Sequence, residues 1–214
     1  CDLPYGTTQN KWDSVIPFDA LWEQYWRVCK PNAAVVLTAA QPFTSALVMS
    51  QVEHFRQELV WLKNIASDFL NANKRHMAKH ESVLLFSKGK ETYNAQLSPG
   101  KPYATKRSGK DDTGDNYGQV NKRTDTINSG DRKPTSQLFF DRQTGAHPTQ
   151  KPVALFEYLI RTYTNPGEIV LDNTAGSGTT AIAAENAGRK WICMERDPDY
   201  YAAAVGRVYD HCAG

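Results

Sequence analysis

The chain has 214 residues, 40% of them hydrophobic and 22% charged, with a formal net charge of +2 and a pI near 8.3. That length fits one large domain, or one domain with a sizeable insertion. So mild a charge excludes a histone-like polycation, and no apolar run approaches the roughly 20 residues of a membrane span.

Chain order begins with CDLPYGTTQN. Asp2-Leu3-Pro4-Tyr5 has the composition of an active-site turn, yet the same letters make an ordinary Pro-Gly turn near a chain end, where ends fray. Pro, Gly and polar residues here speak against a signal peptide. A first residue other than Met leaves room for a natural start upstream of Cys1. FDALWEQYWRVCK then sets Leu21, Trp22, Tyr25, Trp26 and Cys29 at helical spacing until Pro31 stops the helix. Its Trp22 and Trp26 face suits a core or an interface equally. AAVVLTA reads as a short buried strand. Pro42 and Thr44 open a helix through Ser45, Leu47 and Val48, and FRQELVWLK and SVLLFSK follow as strands. Alternating strands and helices predict an open α/β sheet. In the connection SDFLNANKRHMAKHE, Arg75, His76 and Lys79 are either phosphate contacts or a solvated turn.

From about Gly89 to Gly145 the composition changes. Lys101, Lys106, Arg107, Lys110, Lys122, Arg123, Arg132 and Lys133 gather among Gly, Ser, Thr and Asn, with little to bury. Two readings stand: a solvated surface insertion, or a nucleic-acid contact region with Tyr103 and Tyr117 available for stacking. Asp111, Asp112, Asp115, Asp125 and Asp131 dilute the positive charge.

Order returns in the last block. PVALFEYLIRTYT has helical periodicity with Pro152 at a first-turn position, and NPG is a turn. EIVLDN is a strand, SGTTAIAAENAG a helix closed by Gly188, KWICME a strand, and PDYYAAAVGRVYDHC a final helix. None of the four cysteines (Cys1, Cys29, Cys193, Cys212) forms a CxxC pair, so no zinc site is expected, and a reducing, cytoplasmic setting is the simplest inference. Cys193 reads as a small core hydrophobe.

VLDNTAGSGTTAIAAENAGRKWICMERD carries the most chemistry. A strand ends at Asp172, and Gly176 and Gly178 allow a tight turn and close approach to a ligand. The next helix points its N–H groups at that turn, and a second strand ends in Glu195, an acceptor suited to two ribose hydroxyls. The unit reads as a nucleoside-cofactor pocket, or as a tight strand-to-helix turn with no ligand. Thr179 and Thr180 stand where a Walker loop needs Lys, and the third Gly of the dinucleotide fingerprint is missing, which disfavours both ATP and a dinucleotide.

LDNTAGSGTT resembles the cofactor loop LDPFxGSGTT of S-adenosylmethionine-dependent DNA amino-methyltransferases. AHPTQKPVALFEYLIRTYTNPGEIVLD is similar to the segment preceding that loop in their β-class, and DLPYG resembles their (D/S/N)PPY motif. Catalytic motif, variable region, HPTQKP and glycine loop follow in β-class order over nearly the whole chain. The resemblance implies a Rossmann-like open twisted sheet with circularly permuted motif order and a loop-rich target-recognition insertion. Residues 1–88 would form the catalytic half, 89–145 the insertion and 146–214 the cofactor-binding half. It implies S-adenosylmethionine as cofactor, no metal, and a flipped-out base in double-stranded DNA as substrate. A homodimer and a restriction endonuclease counterpart are further partners it suggests, and no membrane.

Residue by residue, the resemblance makes Asp2, Leu3, Pro4 and Tyr5 catalytic. The Asp2 carboxylate and the Leu3 carbonyl would accept the two amino protons, and Tyr5 would stack on the base. Leu3 stands for the family's Pro, tolerated because a backbone atom carries the role, while Pro4 keeps Leu3 extended. Cofactor contacts fall to His147, Thr149, Lys151, Asp172, Asn173, Thr174, Gly176, Ser177, Gly178, Thr179, Glu195 and Arg196. Within that set Thr149 and Lys151 would hold the methionine carboxylate. Asn173 and Thr174 depart from the usual Pro-Phe, so an aromatic wall is missing or supplied elsewhere. His80 and Glu81 match an HE pair of relatives. DNA contacts fall to Arg75, Lys101, Lys106, Arg107, Lys122, Arg123 and Arg132. Asp at the first motif position favours adenine N6, with cytosine N4 the nearest alternative. RNA, a catalytically inactive DNA-binding relative and an oxidoreductase lie further off.

Overall fold

The computed structural model describes residues 1–8, 10, 13–106, 125–143 and 150–213. His147, Thr149, Arg107, Lys110, Tyr117, Lys122 and Arg123 lie outside the described residues. The chain forms two compact units, Cys1–Asn94 with Thr135–Gly214, and Ala95–Pro134.

The first unit opens with helix α1 (Phe18–Val28), strand β1 (Val35–Ala39), helix α2 (Phe43–Ser50) and the long strands β2 (Phe55–Ser67) and β3 (Ala78–Phe86). The second unit holds only short strands, β4 (Ser98–Pro99), β5 (Tyr103–Thr105), β6 (Thr126–Asn128) and β7 (Asp131–Arg132). They pair as two antiparallel ribbons, β4 with β7 and β5 with β6. The first unit then resumes with β8 (Gln137–Phe139), α3 (Val153–Tyr163), β9 (Ile169–Asp172), α4 (Thr179–Asn186), β10 (Lys190–Cys193) and α5 (Pro198–Ala213). Residues 89–94 and 135–143, expected in the insertion, belong to the first unit. The Asn94 N–H donates to Thr162 O (2.7 Å), and β8 pairs with β2.

Strand β3 shows why this sequence makes a three-layer fold. Its run of Val83, Leu84, Leu85 and Phe86 is buried on both sides. Val83 and Leu85 join the cluster of α3 and α4, with Leu155, Leu159, Ala183 and Ala184. Leu84 and Phe86 point the other way, to Leu21, Trp22 and Tyr25 of α1 and Phe43 and Leu47 of α2. A strand covered on both faces has no polar side to alternate with, hence the continuous apolar run. Trp22 is core, at 2% exposure, and Trp26 stacks on it with ring centroids 5.3 Å apart.

The main sheet has the order β1-β3-β2-β8, antiparallel except for β8 on β2, while β9 and β10 form a parallel pair. Cys1–Leu3 stands between the two. The Cys1 nitrogen donates to Val36 O (2.8 Å), Thr38 N–H donates to Cys1 O (3.1 Å), and Asp2 bridges Thr38 in parallel. On the other side Cys1 Sγ lies 3.7 Å from Leu171 O of β9. A cleft of about 510 Å³ is lined by both edges, including Val36 and Leu37 of β1 and Val170 and Leu171 of β9. Pro152 sits at the N-cap of α3 with extended backbone, one residue before the first turn expected for it. Strand β10 ends at Cys193, two residues before Glu195, and Met194 N–H extends the ladder to Asp172 O (2.8 Å). Cys1, Cys29, Cys193 and Cys212 are all free thiols, and Cys193 is half-buried. Among the described residues no helix is long and apolar enough to cross a membrane, and no group of three His, Cys, Asp or Glu could hold a metal.

Candidate active site

Parallel strands deliver their C-terminal ends to one rim, and loops leaving that rim make a crevice. Here Asp2 and Asp172 reach the same cleft, of about 440 Å³, within the range of about 300–1,000 Å³ usual for small-molecule sites. Pro4, Lys151, Thr174, Gly176, Ser177 and Glu195 also line it. Asn173, Thr179 and Arg196 complete the predicted residues found there, whereas Leu3, Tyr5 and Gly178 do not line it.

The Asp2 carboxylate is the most heavily bonded group in the cleft. Its Oδ1 accepts the Thr38 hydroxyl (2.6 Å) and the Tyr5 phenol (2.8 Å), and its Oδ2 accepts the Lys151 ammonium (2.8 Å). Burial by itself would raise the Asp2 pKa. The Lys151 charge, with hydrogen bonds from Lys151, Thr38 and Tyr5, outweighs that and holds it below the usual carboxylate range. Burial also disfavours the charged form of Lys151, but Asp2 and Glu81 push its pKa up. Burial, then the Asp2 and Glu81 charges, raise Tyr5 well above an ordinary phenol. The resting state is therefore Asp2 ionised, Lys151 charged and Tyr5 neutral.

Two residues with expected ligand contacts have protein partners here. Lys151, expected to hold a cofactor carboxylate, is 8% exposed in its side chain and lies between two protein carboxylates, Asp2 and Glu81 (3.4 Å). Tyr5, expected to stack on a base, turns its hydroxyl onto Asp2 and its ring onto Phe43, with centroids 5.2 Å apart. It braces Asp2, and Pro4 forms the cleft wall on that side. The backbone after Tyr5 is tied down as well. Asp13 accepts the N–H groups of Gly6, Thr7 and Thr8 at 2.7–3.0 Å.

The glycine loop is held by carboxylates from inside. Asp172, at 2% exposure, accepts the Thr174 N–H (3.0 Å) and the Thr180 hydroxyl. Glu195 accepts the Gly176 N–H (2.8 Å) and the Asp197 N–H (2.9 Å). Gly178 has φ +78°, and a Cβ there would stand 3.3 Å from Ala204 Cβ and Val208 Cγ2 of α5. Glycine is thus required for the turn and for the approach of α5. The departures at 173 and 174 are put to use. Asn173 Oδ1 accepts the Tyr25 phenol (2.8 Å), and Thr174 Oγ1 donates to Asp2 O (3.0 Å), linking the loop to the Asp2–Tyr5 turn.

Sequence reading missed several contributors. Arg207 of α5 reaches Ser177 O (2.9 Å) and Thr179 Oγ1 (3.2 Å) across the loop. Thr38 completes the Asp2 cage, and Ser14 and Ile16 line the cleft. None carries a local signal, because each meets its partner only through tertiary folding.

Four of the predicted DNA-contact residues are described, one in the first unit and three in the second. Arg75 belongs to the first unit and pairs with Asp68 (2.8 Å) on an exposed turn. Lys101 and Lys106 are exposed residues of the second unit. Arg132 is engaged within that unit. It donates to Asn128 Oδ1 (2.7 Å) and Lys101 O, and its guanidinium lies 5.0 Å from the Tyr103 ring centroid.

Comparison with known proteins agrees with this geometry. A model of the N6/N4 methyltransferase family, described as DNA methylase, matches residues 1–206. The type II methyltransferase M.BglII of Bacillus subtilis is 32% identical over 149 residues, which is 68% of this chain and 39% of that protein. M.HpaI of Haemophilus parainfluenzae is 26% identical over 215 residues, 95% of this chain and 63% of that protein. M.PvuII of Proteus hauseri is 44% identical over 66 residues, 31% of this chain and 20% of that protein. The chain thus spans less than two thirds of each of these relatives. Among solved structures, an M1.HpyAVI–SAM complex superposes with a TM-score of 0.63 at 25% identity, covering 96% of this chain and 86% of that one. The PvuII DNA methyltransferase, described as cytosine-N4-specific, shares the fold at a TM-score of 0.61 and 19% identity, covering 98% and 82%.

Proposed function

The chain belongs to the N6/N4 DNA methylase family, and from that premise we propose that it methylates an exocyclic amino group, adenine N6, in double-stranded DNA. S-adenosylmethionine is the proposed methyl donor. The observation that carries this reading is the placement of an ionised, triply hydrogen-bonded Asp2 in the same cleft as the Glu195-braced glycine loop.

The lining suits such a donor. Asp2, Asp172, Glu195 and Asp197 contribute four carboxylates, against the two cations Lys151 and Arg196. A cationic sulfonium is favoured by that balance, since opposite charge within a few ångströms stabilises it. Ile16, Phe156 and Pro198 supply apolar wall for a nucleoside. When bound, the sulfonium supplies an activated methyl group.

The protein's own work is orientation. An exocyclic amino nitrogen is a poor nucleophile because its lone pair is delocalised into the ring. Acceptors on its two N–H bonds localise that pair and aim it, and a preset geometry lowers the barrier. Asp2 is one proposed acceptor, and the Leu3 carbonyl is the other; Leu3 does not line the cleft in this structure, so that second contact requires the turn to adjust when the base enters. Leu3, at 4% exposure, is anchored in the α1/α2 core. The base must leave the duplex to reach this cleft.

The second reading, cytosine N4, is favoured by the 44% identity to M.PvuII over 66 residues and by the shared fold of a structure described as cytosine-N4-specific. Adenine is preferred because Asp opens the catalytic motif. A homodimer, a restriction endonuclease counterpart, a cytoplasmic location and DNA contacts through Lys101 and Lys106 belong to the same proposal.

The test uses cofactor labelled in the methyl group and mixed duplex DNA, followed by digestion to nucleosides. Label in N6-methyladenine is expected, and Asp2→Ala abolishes transfer while cofactor binding persists in calorimetry. Label in N4-methylcytosine replaces the adenine assignment, and no transfer to any DNA sinks the enzyme reading.

A further inference from the structure

Two charged side chains outside the cleft belong to the same buried network as Asp2. Lys63 of β2 is 4% exposed in its side chain and places Nζ 3.1 Å from Glu81 Oε1 and 3.1 Å from Ser67 Oγ. Glu81 of β3, 17% exposed in its side chain, sets its other oxygen 3.4 Å from Lys151 Nζ. Lys151 then meets Asp2 at 2.8 Å. The charges alternate in sign along the line Lys63, Glu81, Lys151, Asp2. Neither Lys63 nor Glu81 lines the cleft.

We propose that Lys63 and Glu81 are positioning residues for the methyl transfer, because together they set how firmly the Lys151 ammonium sits on Asp2. The proposal rests on the reading of Asp2 as acceptor for the target amino group.

A buried ion pair is a costly way to hold two strands together, since apolar residues of similar size usually do so at least as well. Lysine is among the side chains least often fully buried. A purely structural role therefore gives weak reason for the Lys63–Glu81 pair, whereas its connection to Lys151 gives a specific one. Lys151 is shared unequally between two carboxylates, closer to Asp2 than to Glu81. That inequality depends on Lys63, which offsets part of the Glu81 charge. Among the described residues, the other groups on this line are the Thr38 hydroxyl on Asp2 and three aromatic contacts. The Tyr5 phenol bonds Asp2 and stays neutral, the Tyr5 ring lies 5.5 Å from Lys151 Nζ, and the Trp61 ring lies 6.0 Å from Lys63 Nζ.

Opposite effects follow for the two ends of the pair. Without the Lys63 charge, Glu81 draws Lys151 away from Asp2, and Asp2 takes up a proton more readily. Without the Glu81 charge, Lys151 settles wholly on Asp2, and Asp2 gives up its proton more readily. Loss of a merely structural contact would move both variants the same way.

The experiment titrates carboxyl carbons of the full chain by NMR, with the Asp2 signal assigned through Asp2→Asn, alongside single-turnover methyl transfer across pH. Lys63→Met is expected to raise the Asp2 midpoint and the acid limb by about half a pH unit, and Glu81→Gln to lower both by a similar amount. Lys63→Arg keeps the charge and leaves the midpoint near its original value. Cofactor affinity by calorimetry is unchanged in all three. If Lys63→Met does not fold, Glu81→Gln and Lys63→Arg carry the test. Shifts of the same sign, no shift in Glu81→Gln, or a Lys63→Arg shift as large as that of Lys63→Met would overturn the proposal. An original chain that titrates as expected but methylates no DNA defeats the functional reading and leaves the charge coupling standing.

Discussion

Replacing Lys151 by Met removes the cation from the centre of the site and keeps its approximate length. At the 2.8 Å separation from Asp2, Coulomb attraction at an effective dielectric of about 20 is roughly 6 kcal/mol before desolvation is counted. Asp2 keeps hydrogen bonds from Thr38 and Tyr5 and some contact with solvent. The net destabilisation should therefore be about 3–5 kcal/mol, as for other half-broken buried pairs. Its pH dependence follows from the pKa directions. The Asp2 pKa is depressed in the folded chain, so its contribution is present above the ordinary value of 3.8 and disappears as pH falls through the lower folded value. The Lys151 pKa is raised, so its contribution is present below 10.5 and is lost as pH rises through the folded value. Between those limits the original chain holds the full pair. In Lys151→Met, burial is left to dominate Asp2 and lifts its pKa, so acid relieves the defect by protonating it. Urea unfolding at pH 7 and pH 4.5 measures this, with Asp2→Asn/Lys151→Met closing the double-mutant cycle. The double variant should recover about 2 kcal/mol relative to Lys151→Met alone. A loss equal at both pH values, with no recovery in the double variant, would refute the assignment of the pair.

The glycine loop and the Asp2–Tyr5 turn offer three further tests. Gly178→Ala forces a side chain into a left-handed conformation 3.3 Å from α5, and thermal unfolding should report a loss of about 1–3 kcal/mol. Arg207→Met releases Ser177 O and Thr179 Oγ1. Calorimetry should show cofactor affinity about tenfold weaker, with the rate at saturation retained. Asp13→Ala frees the amides of Gly6, Thr7 and Thr8, which should exchange hydrogen faster without global unfolding. In the original chain, burial works against the Asp13 charge, but hydrogen bonds from the Thr8 hydroxyl and these amides hold its pKa low. The same protection should therefore fade only as pH drops below the ordinary carboxylate value.

Local chemistry made most of the fold legible. The LDNTAGSGTT turn announces itself because left-handed backbone demands glycine, and β3 because a strand buried on both faces has no polar positions. Trp22 and Trp26 share a helical face, and periodicity alone does not show that Trp22 lies beneath Trp26 against Phe86. The site itself was half legible. Asp172 ends β9, and Asp2 and Glu195 stand beside strands, where a pattern points to them. Their partners do not, since Thr38 is 36 residues from Asp2 and Lys151 is 149. Lys63 is the clearest case. It closes the strand-like run FRQELVWLK without any signal of its own, and the Glu81 carboxylate across the sheet accompanies its burial. Departures from a motif were also opaque, because Thr174 and Asn173 acquire meaning only from Asp2 and Tyr25.

The lowered pKa of Asp2 bears on the part it would play in the proposed reaction. A carboxylate held below its ordinary range by an ammonium and two hydroxyls is a weak base, and a neutral amino group is a far weaker acid than any carboxyl. Removing a proton before attack would thus run steeply uphill, and the network around Asp2 makes that worse. The same network suits an acceptor. It keeps Asp2 fully charged across neutral pH, and it fixes the carboxylate plane through bonds to β1, the Tyr5 phenol and Lys151. A fixed anionic acceptor strengthens its hydrogen bond as positive charge grows on the nitrogen during methyl transfer, when stabilisation counts most. The nitrogen's proton becomes acidic only once the new N–C bond has formed, and it can leave then without a strong base. In the proposed reaction Lys151 would thus do for Asp2 what a general base would not need: it would suppress basicity to preserve charge and direction.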